Sequence, residues 1–321
     1  MKLDVLALDG VFDTGLSTVL DVFTTANELA ATLKLDVAPF DVSVVGVRKR
    51  VRTSQGFSVP IARALDSSRN ADWIVVPALG CKMPETLEPA LLRADVRDAC
   101  AALQAHAGAG ANLAAACIGT FVLAEAGLLD RHKATTTWWL ATLFRQRYPA
   151  VLLEDSRMLV ASGDRLTAGA ALSHVDLALW LVRQASPELA TLVSRYLIVD
   201  ARPSQSAYVI SDHLQHSDPM VERFERWARG RLAHGFSLDE AALAAGTSKR
   251  TLARRMQRVL GKSPLTYVQD LRVERAVHLL KTSDKSLEQI AGLVGYADGV
   301  TLRTLLRQRL GRGVREMRLE S

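Results

Sequence analysis

Cysteine is scarce in this chain: three residues among 321, at positions 81, 100 and 117. The odd number excludes a fully paired disulfide framework, and no C-x-x-C spacing points to a zinc site; no metal site and no cofactor are assigned. Long apolar runs are missing as well. No segment approaches the roughly 18 consecutive apolar residues that a membrane span requires. The opening stretch MKLDVLALDGVFDTG places Asp4 and Asp9 where a signal peptide would be apolar throughout, which makes a cytoplasmic protein the expectation.

Acid is short in one region only. From Asp218 onward there are 20 Lys and Arg against 12 Asp and Glu, a net of +8, whereas the first 217 residues hold 20 against 22, a net of −2. The basic excess of the whole chain therefore sits in its last third, the electrostatic footprint of a polyanionic partner such as nucleic acid. Apolar content of 49% with 23% charge is ordinary for a folded protein, and the length accommodates two domains.

The pattern along the chain separates these two parts. Up to about residue 185, short apolar runs alternate with helical periodicity, the order of an α/β fold with a mostly parallel sheet. Strands are predicted at 3–10, 40–47, 71–80 and 112–117, with short strands between 150 and 170. Helices are predicted at 16–30, 84–106, 121–129 and 172–186. Residues 191–217, with Pro203 and clustered Ser, His and Asp, read as a linker, although AYVI within it has the character of a segment packed on a domain. Residues 218–321 read as helical throughout, including helices at 220–233 and 265–281, the latter opened by Pro264.

The basic part repeats itself. SLDEAALAAG begins at Ser237 and SLEQIAGLVG at Ser286, 49 residues later. Each starts with a capping box, Ser237 with Glu240 and Ser286 with Gln289. Each places an alanine (Ala242, Ala291) where a second helix would cross closely, and a glycine (Gly246, Gly295) where the first helix must stop and turn. A helix rich in Arg and Thr follows each glycine, at 248–261 and 298–311. Two such copies define a pair of helix-turn-helix units.

In the first basic helix Leu252, Met256 and Leu260 face inward by their spacing, leaving Ser248, Lys249, Arg250, Arg254 and Gln257 as DNA-binding candidates. In the second, Leu302, Leu306 and Leu310 face inward, leaving Thr301, Arg303, Thr304, Arg307 and Gln308. Arg pairs with guanine, Gln with adenine, and the Thr methyl with that of thymine, so these residue types suit the major groove of double-stranded DNA.

Residues 237–318 resemble the DNA-binding domain of the AraC/XylS family. The family's G-x-x-P stretch after the second basic helix reads GRGVREMR here, without the proline. The first part resembles the DJ-1/PfpI family, within the class I glutamine amidotransferase-like fold. It does so through LALDG, IVVPALG and AAACIGTFVLAEAGLLDRHKATTTWW. The combination is that of GlxA-like transcriptional regulators, and it implies a homodimer, a small-molecule effector of nitrogenous character and, for an activator, contact with RNA polymerase.

Cys117 stands at the turn from a strand into a helix, the place of a nucleophile in this fold. The helix N-terminus is expected to favour thiolate, with N–H groups near Gly80 and at Ile118 able to hold an oxyanion or carboxylate. A nucleophile also needs a base. Hydrolase members carry a histidine directly after the cysteine; here Ile118 stands there. Regulators of the family often carry ATTHW; here ATTTW puts Thr137 at that histidine's place. The acid of DJ-1-type members falls near Gly15, with Asp9 and Asp13 close by.

No catalytic residue is therefore assigned. Asp9, Gly80, Cys117, Ile118, Thr137 and Trp138 are the candidate walls of a ligand pocket, the tryptophan either facing a cationic headgroup or packing in the core. The alternative is a cysteine hydrolase, amidase or glyoxalase-like enzyme with a DNA-binding appendage. A reversible Cys81–Cys117 disulfide is a separate reading of the same turn.

Overall fold

The computed structural model describes residues 1–65, 71–200, 202, 204–205, 218–310, 313–314 and 317. They form two compact units, Met1–Arg202 and Pro203–Ser321.

The first unit runs β1 (Lys2–Leu6), α1 (Asp13–Thr32), β2 (Asp41–Gly46), β3 (Val51–Arg52), β4 (Ser58–Val59), β5 (Arg63–Ala64) and β6 (Trp73–Val76). It continues α2 (Pro84–Leu91), α3 (Ala94–Gly108), β7 (Asn112–Ala116), α4 (Gly119–Glu125), β8 (Lys133–Ala134), a 3-10 turn at Trp138–Leu140, and α5 (Ala141–Arg147). It closes with β9 (Leu152–Leu153), β10 (Leu159–Ser162), β11 (Arg165–Ala168), α6 (Ser173–Ala185) and α7 (Pro187–Tyr196). Seven strands make one sheet in the order β10-β11-β7-β6-β1-β2-β5. All its pairings are parallel except β10 with β11, as the alternating pattern predicts.

Successive strand residues feed opposite faces. Leu6, Ile74, Val76, Leu113 and Ala115 pack with α2, α3, α4 and α5 through Leu87, Val96, Phe121 and Phe144. Leu3, Val5, Val75, Ala114 and Ala116 pack with α1, α6 and α7 through Val19, Leu177 and Leu189. The chain builds outward from β1 on one side and then returns to its other side with β6. Sites in such sheets lie at the carboxyl ends of the strands, at that reversal. The turns after β1, β6 and β7 gather there.

Two features differ from the sequence reading. The predicted helix at 84–106 is two helices, broken between Leu91 and Ala94; the Leu92 N–H donates to Pro89 O and the Arg93 N–H to Ala90 O, both at 3.2 Å, tight i to i−3 bonds that close the first helix. Helix α7 was not foreseen, and the predicted linker at 191 begins inside it. Ser186 caps α7 through the Leu189 N–H, and Leu189, Ala190 and Val193 are buried against the sheet's helices. The AYVI segment lies outside the described residues.

The second unit is α8 (Pro219–Arg229), α9 (Leu238–Ala244), α10 (Lys249–Leu260), α11 (Pro264–Thr282), α12 (Leu287–Leu293) and α13 (Gly299–Leu310). It has two separate apolar clusters. Val221, Phe224, Ala242, Leu252 and Met256 meet Tyr267, Val268 and Leu271 of α11 in one. Ile290, Ala291, Leu302 and Leu306 meet Val273, Ala276, Leu279 and Leu280 of α11 in the other.

Helix α4 begins so close to β6 that a Cβ on Gly119 would overlap the Val76 carbonyl oxygen and lie 2.8 Å from that of Pro77. Backbone cannot move aside as a flexible side chain can. Gly119→Ala should therefore destabilise the first unit by about 1–3 kcal/mol in urea unfolding, the usual cost of overpacking. An unchanged midpoint would show that α4 can slide.

Candidate ligand site and nucleic-acid interface

Cys117 lies one residue beyond β7 with φ of 56°, in the left-handed region that side chains rarely occupy. Holding a non-glycine residue there costs roughly 1–2 kcal/mol. Two hydrogen bonds clamp it: the Cys117 N–H donates to Ala168 O at 2.9 Å, and Thr136 Oγ1 donates to Cys117 O at 2.8 Å. The strand-to-helix elbow foreseen in the sequence is thus present in its backbone.

Its thiol is not activated. Cys117 is only 3% exposed, and burial pushes its pKa up to about 12, against a smaller downward pull from the Ile118 N–H and the Thr137 side chain. The expected thiolate at the helix N-terminus is overturned, because desolvation outweighs the donors of a short helix. The Thr137 hydroxyl is fully buried and faces this sulfur with no nitrogen or oxygen partner. Ile118 and Thr137 thus meet at Cys117.

The other candidate walls serve the scaffold. Gly80 donates its N–H to Gly10 O at 2.8 Å and so offers no oxyanion donor, while a Cβ on it would overlap the Ser54 side chain. Asp9 accepts the Arg52 N–H at 3.0 Å, and Arg93 donates to the Asp9 carbonyl at 2.6 Å. Asp13 accepts from Ser54 Oγ and the Gln55 N–H. These bonds knit the turns after β1 and β6 to the β3–β4 hairpin. Trp138 is buried, edge-on to Trp139, and Trp139 donates its indole N–H to Lys82 O. Cys81 is a half-buried free thiol whose pKa is raised by burial, with Arg93 and Thr86 pulling the other way; Cys117 is free too.

His174 also reaches this region. Its ring packs on Gly15, where a Cβ would stand 2.6 Å from Nε2. The ring therefore fills the position at which DJ-1-type members are expected to place their acid. Nε2 accepts the Ala78 N–H at 3.1 Å and Nδ1 meets Ala171 O at 2.6 Å, so the proton resides on Nδ1. Burial drives the imidazole pKa down to about 4, against a smaller rise from the Ala171 carbonyl. The ring is a neutral, fully engaged strut rather than a base. A glycine within a helix was the available signal. Thr120 and Ser173, each next to one of these elements, bring two more buried hydroxyls that have no partner among the described residues.

The second unit positions its basic helices with matching turns. After α9, Gly246 (φ 69°) is followed by Thr247, whose N–H donates back to Ala242 O at 2.9 Å. After α12, Gly295 (φ 78°) is followed by Tyr296, whose N–H donates to Ala291 O, also at 2.9 Å. Both are left-handed Schellman ends, and the repeat alanines are the acceptors. The capping boxes are not equal: Gln289 returns to the Ser286 N–H, but the Glu240 carboxylate pairs with Arg231 instead.

Ser248 caps α10 and Asp298 caps α13, in both cases through the N–H three residues on. Leu252, Met256 and Leu260, like Leu302, Leu306 and Leu310, are buried. Ser248, Lys249, Arg250, Arg254, Gln257, Thr301, Arg303, Thr304, Arg307 and Gln308 are all exposed. Lys249 pairs with Asp239, and the hydroxyls of Thr301 and Thr304 bond Asp298 and the Val300 carbonyl. Much of the GRGVREMR stretch lies outside the described residues.

Set beside known proteins, the chain is one in which residues 1–184 match the DJ-1/PfpI family and residues 230–320 match a helix-turn-helix domain. The first match spans more than half of the molecule: this chain belongs to the DJ-1/PfpI family and carries a C-terminal helix-turn-helix domain. It is 25% identical to the HTH-type transcriptional regulator GbdR of Pseudomonas aeruginosa over 303 residues, covering 91% of this chain and 77% of that one. It is 29% identical to the HTH-type transcriptional regulator ArgR of the same species over 221 residues, covering 68% and 67%. Among solved structures it resembles an AraC family transcriptional regulator from Pseudomonas putida, with a TM-score of 0.51, 22% identity, and coverage of 61% of this chain and 98% of that one.

Two predictions follow from these geometries. Because the Cys117 thiol stays protonated far above neutrality, iodoacetamide should leave it unmodified at pH 7 to 9 in the native protein. Peptide mass spectrometry showing Cys117 labelled faster than a free thiol at pH 7 would contradict the buried geometry.

The second concerns Asp218. Burial alone would raise its carboxyl, but the Val221 N–H, Arg255 and the Met220 N–H together hold it below its ordinary 3.8. A depressed folded pKa gives stability that is complete above the ordinary value and lost as pH falls through the lowered one. Asp218→Ala should cost about 0.5–2 kcal/mol at pH 7 and flatten the acid limb of the unfolding profile.

Proposed function

We infer that this chain is a sequence-specific DNA-binding transcriptional regulator whose first unit senses a small molecule. One observation carries the reading: two equivalent turn-and-cap arrangements each present a helix with an apolar inner face and an exposed face that carries Arg and Gln, with exposed Thr on the second. That is the surface the major groove accepts. The regulator names of its relatives and the basic excess of the last third point the same way.

The first unit supports a binding role. Its elbow holds a protonated thiol that meets the buried Thr137 hydroxyl, and the buried hydroxyls of Thr120 and Ser173 have no partner among the described residues. Such groups are costly unless something polar meets them. A cysteine hydrolase would need a thiolate and a base, and neither Cys117 nor His174 supplies one. The proposed effector is a small metabolite, nitrogenous in class. Binding shifts the placement of two DNA-binding units in a homodimer, and RNA polymerase contact with activation is the proposed output. No described helix is long and apolar enough to cross a membrane, and the proposed location is the cytoplasm.

The DNA reading is tested by affinity against salt. Arg250→Ala and Arg307→Ala in the full chain should each weaken operator binding. A base contact should cost about 1–3 kcal/mol and relax specificity, whereas a phosphate contact should lower the salt slope by about one. Wild-type protein without salt-dependent DNA affinity would overturn the reading.

For the sensor, a thermal-shift panel of amino acids, amines and quaternary ammonium compounds should give a stabilising ligand. Thr137→Val, which exchanges a hydroxyl that meets only the Cys117 sulfur for a methyl, should change the unliganded melting temperature little and should abolish the ligand shift. A shift retained in full would place the ligand elsewhere.

A further inference from the structure

The two apolar clusters of the second unit share only helix α11. The first ends there at Leu271 and the second begins at Val273. At that changeover stands Asp270, and its two oxygens are divided between the two halves. Oδ2 accepts Lys262 Nζ at 2.9 Å, and Lys262 follows the left-handed Gly261 that ends α10. Oδ1 pairs with Arg309 at 3.2 Å, and Arg309 lies in the last turn of α13. Arg309 also donates to Gln269 Oε1 at 2.9 Å. One carboxylate thus holds the C-terminal ends of both basic helices to the helix between them.

The internal repeat marks this as a built feature. Counting back from the aligned inward leucines, Leu260 and Leu310, places Arg309 opposite Val259. Val259 is buried in the first cluster, whereas Arg309 is partly exposed and reaches out to α11. The second copy has exchanged an apolar core position for a cation that meets Asp270. A second tie lies about 200° around α11, given roughly 100° per residue. There Arg272 donates to the Leu232 and His234 carbonyls and lies 5.2 Å over the Tyr296 ring. Arg272 is buried, so its loss would strike the core, while the side chain of Asp270 is 29% exposed and adjustable.

We propose that Asp270 is a positioning residue that sets the separation at which the two basic helices engage DNA. This rests on the reading that those helices occupy successive major-groove segments. Helices fixed at both ends of a shared carboxylate meet two boxes at one separation, about one helical turn of 10–10.5 base pairs. Freed from it, each unit keeps its own core, caps and base-facing side chains, but their relative angle widens into a range.

The test is selection from a library of duplexes with a randomised centre, using the full chain. The wild-type protein is expected to enrich two boxes at one fixed separation. Asp270→Asn, Asp270→Ala and Arg309→Ala are expected to enrich the same boxes with the separation spread over neighbouring values. Their preference for two boxes over one should fall roughly 10-fold, and Asp270→Glu should restore the fixed spacing. Glu222→Gln, which removes an exposed carboxylate elsewhere in the unit, controls for charge and should keep wild-type spacing.

Asp270 variants that keep wild-type spacing overturn the proposal. So does a uniform loss of all DNA affinity with lowered thermal stability, which marks a merely structural residue. A wild-type protein that selects a single box also overturns it. A wild-type protein that enriches no motif instead defeats the DNA reading itself.

Discussion

Sharing one helix between two cores is the constraint on which the second unit depends. Each cluster has helices from one repeat on one side and a stretch of α11 on the other. Neither repeat alone has enough apolar surface to offset the entropy of ordering its chain. With α11 common to both, each basic helix is seated by buried residues on its inner face, and its outer face is left to charge. The same sharing leaves orientation to α11 itself, to the close approach of Gly295 to the Leu232 carbonyl, and to the polar side chains that bridge the two halves. Asp218 with Arg255 adds a further tie, fastening the start of α8 to α10.

In the first unit a single left-handed residue plays the corresponding role. Cys117 turns the chain from β7 into α4, and Gly119 lets that helix sit on the carbonyls that end β6. The turns after β1 and β6 are bound to each other and to the β3–β4 hairpin, which leaves a rigid, buried elbow. What the elbow lacks is proton transfer. Burial keeps the sulfur protonated, and His174 is locked between the Ala78 N–H and the Ala171 carbonyl. Hydroxyls and a thiol held in fixed positions suit recognition of a ligand more than turnover.

Much of this was legible in the residues. The parallel sheet followed from alternating strand and helix periods, and both helix-turn-helix units followed from Ser, Ala and Gly at fixed spacing. Those signals are local: a cap or a left-handed turn is decided by the residues that make it. The inward leucines were legible for the same reason, since helical spacing alone assigns a face. Non-local features were not. That Gly80 spends its N–H on Gly10, or that His174 lies on Gly15, depends on contacts across about 70 and 160 residues. The thiolate expectation failed because a dipole argument counts the helix but not the surrounding burial. Helix α7 was hidden behind Pro187, which reads as a breaker until Ser186 is seen to cap the next helix.

The central claim is that the chain regulates genes by reading DNA with its two basic helices. Mapping its binding sites across the genome of its own cell tests this most directly. The account predicts discrete sites upstream of a small set of genes, each carrying a pair of boxes, and their loss when Arg250 and Arg307 are both replaced by alanine. Occupancy no higher than background, or sites indifferent to both substitutions, would contradict it.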